Sequence, residues 1–239
     1  MAARLGALLL AAGASGCLRY EFDHEFWLRT DGAGSVRVTG RPALWVAFKG
    51  LPDADDEVRL LADARRAFER SGLEVRRSQV TTWSGRRYLS VTAEFKDVNR
   101  LSATPAFPDL TLQLQRVADR LNLEGEWRLP TGSAELASRD RDGLAAIRFH
   151  LPSKVYAHRN AADGVERGNI LTWRTELPAV GSGRALAFGA SLGQRSILVS
   201  TLWLFAAAIG TAVATLVTVF ALVRRRGRAS EDQLQQPAR

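Results

Sequence analysis

The sequence predicts an α+β domain, a mostly antiparallel curved sheet of about eight strands packed on one main helix, followed by a single C-terminal transmembrane helix. Three observations predict it. Apolar and polar residues alternate with period two in one segment after another, the pattern of half-buried strands. One stretch carries apolar residues at helical spacing between an acidic start and a glycine stop. From Ile197 to Val223 runs an apolar segment without a charge, too long for a buried helix of a soluble domain.

The strands come first. Leu18, Tyr20, Phe22, His24, Phe26 and Leu28 share one face, with Arg19, Glu21, Asp23 and Glu25 on the other. Paired acids on a strand can do acid–base work, but this row is expected to be a solvated face. Asp31-Gly32-Ala33-Gly34 turns the chain into a second strand, Ser35 to Thr39, and Leu44 to Phe48 reads as another extended piece. A helix is expected from about Ala54 to Arg70, with Asp53 and Asp55 as caps, Asp56 and Glu57 in its first turn and Gly72 as its stop. Leu61, Ala64 and Phe68 line its inner face, and Arg59, Asp63, Arg66 and Arg70 its outer one.

Leu73 to Trp83 and Arg87 to Phe95 flank Ser84-Gly85 and form a hairpin, with Leu89, Val91, Ala93 and Phe95 pointing inward. Leu110, Leu112 and Leu114 alternate, and Leu121, Leu123 and Trp127 to Leu129 make their partner; Arg116 to Leu121 fits a helix equally well. A strand from Leu144 to Leu151 ends at Pro152. A polar loop, His158 through Asn169, leads to a strand Ile170 to Leu177 and a short one at Leu186 and Phe188.

The two ends set the organisation: residues 1–16 as a signal peptide, 17–195 as one extracytoplasmic domain, 196–223 as the span, and 224–239 as a basic tail. Arg4, the apolar stretch Leu5 to Ala12 and the small residues after it have the layout of a secretory signal. Ala14-Ser15-Gly16-Cys17 resembles a lipobox, which makes Cys17 the expected lipidation site; Ala12-Gly13-Ala14 also serves as an ordinary cleavage site. With Trp203 in the interfacial belt, Leu204 to Val223 covers roughly 30 Å at about 1.5 Å per residue, the hydrocarbon thickness. Arg224, Arg225, Arg226 and Arg228 follow at once and place the C-terminus in the cytoplasm, because positive residues resist translocation. The tail after Gly227 is expected to be disordered.

Charge and motifs restrict the chemistry. Of the formal net charge of +8, one comes from Arg4 and a net three from the tail, so the domain is only mildly basic and a nucleic-acid partner is not expected. Cys17 is the sole cysteine, which rules out an internal disulfide. The three histidines are scattered, so no metal centre is expected. His24 reads as a core residue, His150 as outward-facing, and His158, near Asp163 and Glu166, as the one worth testing. No nucleophile motif and no phosphate-cradling glycine loop is present, and neither catalytic residues nor a cofactor is expected. Six tryptophans could line an apolar cavity, but are expected to fill the core.

The segments Phe149-His150-Leu151-Pro152-Ser153-Lys154-Val155 and Gly168-Asn169-Ile170-Leu171-Thr172-Trp173, with the cysteine-then-strand start and the single terminal span, resemble the LppM-type domain of bacterial membrane lipoproteins. The resemblance implies an envelope protein without established catalysis and suggests a lipid-like ligand. The expectation is a non-enzymatic, membrane-anchored lipoprotein whose outer domain meets membrane lipids and binds a lipid-like molecule or an envelope protein. Two alternatives stay open: a hydrolase acting on lipid or cell-wall material, and a structural subunit of a membrane assembly.

Overall fold

A computed structural model describes residues 20–53, 56–128, 143–162, 165–166, 169–177, 185–194 and 197–234; of 165–166, 197–200 and 225–234 it describes the backbone only. The chain divides into two units, Met1–Gln194 and Arg195–Arg239.

The first unit is α+β, as its periodicity requires, but its strands form two sheets. A seven-stranded sheet takes β1 (Phe22–Leu28), β2 (Gly34–Gly40), β3 (Glu74–Trp83), β4 (Arg86–Phe95), β7 (Leu144–His150), β9 (Val165–Glu166) and β10 (Ile170–Glu176), in the order β3-β4-β2-β1-β7-β10-β9. A four-stranded sheet takes β5 (Leu110–Val117), β6 (Arg120–Arg128), β8 (Val155–Arg159) and β11 (Ala185–Gly193), in the order β5-β6-β11-β8. Every named pairing is antiparallel except one: β1 runs parallel to β7. β1 is therefore an interior strand, paired on both edges, and both of its faces lie beneath neighbours.

Two helices cover the inner face. α1 (Pro42–Lys49) replaces the extended piece expected around Leu44 to Phe48. Pro42 in its first turn is pre-set for helix and loses no needed N–H, and Gly50 ends it in the left-handed conformation, φ +61°. The apparent alternation of Leu44, Val46 and Phe48 misleads, because the buried residues are Leu44, Trp45, Phe48 and Lys49, which is helical spacing. α2 (Glu57–Arg70) is the expected main helix, starting later than expected. Its cap is Asp56, whose carboxylate accepts from the Val58 N–H at 2.9 Å, rather than Asp53 or Asp55. It buries Leu60, Ala64, Ala67 and Phe68, while Leu61 is only half-buried.

The hairpins form where their turns allow. Ser84 and Gly85, φ +48° and +75°, make the tight link between β3 and β4. Ala118, φ +51°, with Asp119 does the same between β5 and β6, so the segment that also fits a helix is a hairpin. Leu110, Leu112, Leu114, Leu121, Leu123 and Trp127 all point into one core shared by both sheets. Trp45, Trp127 and Trp173 are fully buried there with Phe22, Phe26 and Phe149, so these tryptophans are packing residues. Trp45 sits in α1 rather than in a strand.

Part of the expected loop from His158 to Asn169 is strand: β8 pairs with β11, which extends well past Leu186 and Phe188. The two segments that suggested the family meet here. The Leu151 N–H donates to the Asn169 carbonyl at 2.9 Å, and the Asn169 side-chain amide donates to the Leu151 carbonyl at 2.6 Å. The Ser153 hydroxyl, fully buried, donates to the Gly193 carbonyl, and the Trp173 indole N–H to the Arg159 carbonyl at 2.6 Å. These residues carry the chain from one sheet into the other.

The second unit is one helix, α3 (Ile197–Leu234). Over Thr201–Arg224 it is long and apolar enough to cross a membrane. It continues through the arginines to Leu234, where the composition predicts a disordered tail; once an apolar helix exists, extending it through Arg, Ala and Glu costs little per residue.

Candidate functional site

The outer face of the seven-stranded sheet, the one turned away from the helices, is built from charge. Cross-strand register determines it. Glu25 of β1 lies directly opposite Arg37 of β2 on one side and Arg148 of β7 on the other, and Asp23 lies opposite Thr39. Opposite charges at facing positions attract. The Glu25 carboxylate accepts from Arg37, from Arg148 at 3.4 Å and from His150 Nε2 at 2.7 Å. His150 is held in place by stacking on Trp27, ring centroids 4.8 Å apart, so it does face outward, and it has a partner. Arg148 also reaches Asp23 at 3.3 Å. The acid row expected to be a solvated face is instead largely buried, because β1 is interior and Arg side chains close over it.

The two acids are not equivalent. Burial acts to raise the Glu25 pKa, but the His150 hydrogen bond and the Arg37 and Arg148 charges outweigh it and hold the carboxyl below its ordinary value. For Asp23 burial dominates: it is pushed up from 3.8 to about 7 despite Arg148, with the Glu25 charge adding to the rise and Arg37 and His150 opposing it. Its Oδ1 is buried with no hydrogen-bond partner among the described residues.

This face forms a cleft of about 400 Å³. Asp23, Glu25, Arg37 and Arg148 make its floor, and Tyr20, Arg77 and Trp83 stand around them. The Tyr20 ring lies 5.3 Å from the Arg148 guanidinium. Hydroxyls of Thr39, Ser90, Thr92, Thr81 and Thr82, with the Gln79 amide, complete the wall; no aliphatic side chain lines it. Arg77 is exposed and has no ionic or hydrogen-bond partner among the described residues. Trp83, 41 % exposed, leaves its ring accessible.

A second polar group is sealed in the core on the opposite face of β1. Lys49 Nζ lies 2.6 Å from His24 Nε2 and 3.3 Å from Asp109 Oδ1, and the Trp127 indole N–H donates to Asp109 Oδ2 at 2.6 Å. Burial, and then the Lys49 charge, drive the His24 pKa well below its ordinary value. Burial also lowers that of Lys49, against the pull of Asp109. His24 is thus a core histidine with a lysine partner.

The remaining expected site residues do not gather. Cys17 and Asp163 lie outside the described residues, and only the backbone of Glu166, Arg225, Arg226 and Arg228 is described. His158 is exposed on β8 opposite Ala190. Trp203 and Arg224 are exposed and stand at the two ends of the apolar part of α3, about 30 Å apart at about 1.5 Å per residue. Among the described residues no group of His, Cys, Asp and Glu is arranged to hold a metal ion.

No protein-family model matches the chain, and no curated protein matches it in sequence. Among solved structures it is similar to the folded domain of LppM from Mycobacterium tuberculosis, determined by NMR: 15% identity, a TM-score of 0.40, covering 75% of this chain and 94% of that one. The neighbour is of the kind the Phe149–Val155 and Gly168–Trp173 segments lead one to expect; the likeness is one of fold and says nothing of ligand or activity.

Proposed function

We propose that this chain is a non-enzymatic envelope lipoprotein: a signal peptide exports it, Cys17 carries a lipid, α3 crosses the membrane with the arginines inside, and the outer domain binds a lipid-like ligand or an envelope protein. The observation that carries the reading is α3 itself. Its apolar part, Thr201–Arg224, is exposed along its whole length within its own unit, and an unbroken apolar helix surface of that length needs a hydrocarbon solvent. Trp203 and Arg224 end it at the spacing of two headgroup layers. A core filled by tryptophan and phenylalanine favours engagement on the surface of the domain over capture of an acyl chain inside it.

A fluorescent protein that matures only in the cytoplasm, fused after Arg239, tests the orientation. Fluorescence together with protease accessibility of the domain in spheroplasts is expected; a dark fusion, or a protected domain, refutes it. Radiolabelled fatty acid incorporated by the native chain and lost in Cys17→Ser is the expected result for the lipid anchor, and an unlabelled native chain ends that part of the proposal.

A hydrolase reading has one observation in its favour. Asp23, held protonated near neutrality, stands two residues from an ionised Glu25, the split pair that acid–base hydrolysis uses. Against it, Glu25 is engaged by three cations, which leaves it a poor base. Turnover of a glycan or lipid substrate that Asp23→Asn abolishes would establish the enzyme.

A further inference from the structure

We infer that the cleft on the outer face of the seven-stranded sheet is a binding site for a neutral sugar, its hydroxyl pair bridging Arg77 and Asp23 while a ring face stacks on Trp83. This deepens the binding role proposed above and rests on it for access to the ligand.

The lining decides the class of ligand. A cleft of about 400 Å³ falls in the size range of small-molecule sites, roughly 300–1,000 Å³, but such sites are mostly apolar and this one has no aliphatic wall. An acyl chain therefore gains nothing here. A cation meets three guanidiniums, those of Arg37, Arg77 and Arg148; an anion meets the carboxylates of Asp23 and Glu25. What satisfies both is a neutral molecule whose groups donate and accept together, which is what a hydroxyl does.

Two unsatisfied groups define where it docks. Most of the polar atoms on this face are used within the protein: Glu25 by Arg37, Arg148 and His150, and the Thr39 and Ser90 hydroxyls by each other at 3.0 Å. The exceptions are complementary. Arg77 is a donor with no partner among the described residues, and Asp23 Oδ1 is a buried oxygen with none. A buried polar atom without a partner calls for an explanation, and a ligand hydroxyl is one. A vicinal diol accepts from the guanidinium with one oxygen and bonds the carboxyl with the other. The exposed Trp83 ring gives the apolar C–H face of a pyranose a flat surface, a contact aliphatic walls would not orient.

The groups facing Asp23 are Glu25 on its own strand, Arg37 and Thr39 on β2, and Arg148 and His150 on β7. With the carboxyl poised near neutrality, it donates to a sugar oxygen when protonated and accepts from a sugar hydroxyl when ionised, so binding persists on both sides of pH 7.

The test uses the full chain in phosphatidylcholine nanodiscs, which present both membrane faces and so report on the site whatever the topology in the cell. Saturation-transfer NMR is run with maltose, cellobiose and mannobiose. The expected result is transfer to at least one of them, reduced ten-fold or more by Arg77→Ala and by Trp83→Ala, with both variants melting like the native chain. Tighter binding to nanodiscs carrying a dihexosyl lipid than to the free disaccharide identifies a glycolipid headgroup as the source, and equal binding a soluble or wall glycan; either supports the site. No transfer from any of the three sugars, transfer indifferent to both substitutions, or inorganic phosphate binding at Arg77 in preference to sugar overturns the inference.

Discussion

Asp23→Asn should make the protein more stable, and by an amount that depends on pH. In the folded chain the carboxyl titrates at about 7 against an ordinary value of 3.8. From pH 3.8 up to about 7 the native state therefore holds a proton that the unfolded state has released, so native stability falls as pH rises through that window and levels off above it. At about 1.36 kcal/mol per pKa unit the loss reaches about 4 kcal/mol by pH 8. Asn is the neutral isostere: it removes the charge while its carbonyl still accepts from Arg148. The gap in unfolding free energy between variant and native chain should thus be under about 1 kcal/mol at pH 4 and grow to about 4 kcal/mol at pH 8. Urea unfolding of the full chain in one fixed detergent, followed by tryptophan fluorescence at a series of pH values, measures it. A gap that does not widen between pH 4 and pH 8, or a variant less stable than the native chain at pH 8, refutes the account of Asp23 as a costly buried acid.

His24 should act with the opposite sign. Its folded pKa lies well below 6.5, so the unfolded state takes a proton that the native state refuses, and stability is lost as pH falls below about 6.5; His24→Gln should remove that acid limb in a thermal melt series while melting near the native value at pH 8. Gly40→Ala should cost about 1–3 kcal/mol, seen as a drop of several degrees in Tm, because the added methyl would meet the buried Phe22 ring; a native-like Tm would show that the ring has room to move.

How much of this was legible in the sequence depended on whether a signal was local. The β3–β4 hairpin was legible, since Ser84-Gly85 and the alternation Leu89 to Phe95 lie within one continuous stretch. So was the main helix, through its acidic first turn and Gly72. α1 was hidden because eight residues give two competing periods, and Pro42 and Gly50, which decide between them, were passed over as ordinary turn residues. The division into two sheets was not legible, because it rests on pairings between distant segments, β1 with β7 and β6 with β11. The site follows the same rule. Asp23 and Glu25 were visible as a polar row, but their burial depends on β7, more than a hundred residues away, arriving parallel to β1 with Arg148 opposite Glu25. Arg77 was visible only as one of several arginines at the start of β3; what marks it is the lack of a partner among the described residues, which only the folded arrangement reveals.

Glu25 and Asp23 together separate what the fold requires from what it tolerates. Both acids sit on the same face of the same interior strand, two residues apart. Glu25 has partners on both neighbouring strands and is held below its ordinary pKa, so its charge helps tie β2, β1 and β7 together. Asp23 has one partner, an orphaned oxygen and a raised pKa, so at neutral pH it weakens the domain it belongs to. Thr39, Ser90 and Thr92 on the adjacent strands show that an uncharged hydroxyl fits this face. A threonine at position 23 would fill the same strand position without the buried charge. A residue that works against stability, opening on a cleft beside an unpaired guanidinium, is where a departure from local consistency points to function. The pH-dependent gain in Asp23→Asn and the sugar-binding assay are therefore two tests of one claim: the stability that Asp23 forfeits should reappear as affinity for the ligand. A variant that gains the stability and keeps full sugar affinity would separate the two and leave the acid without a purpose.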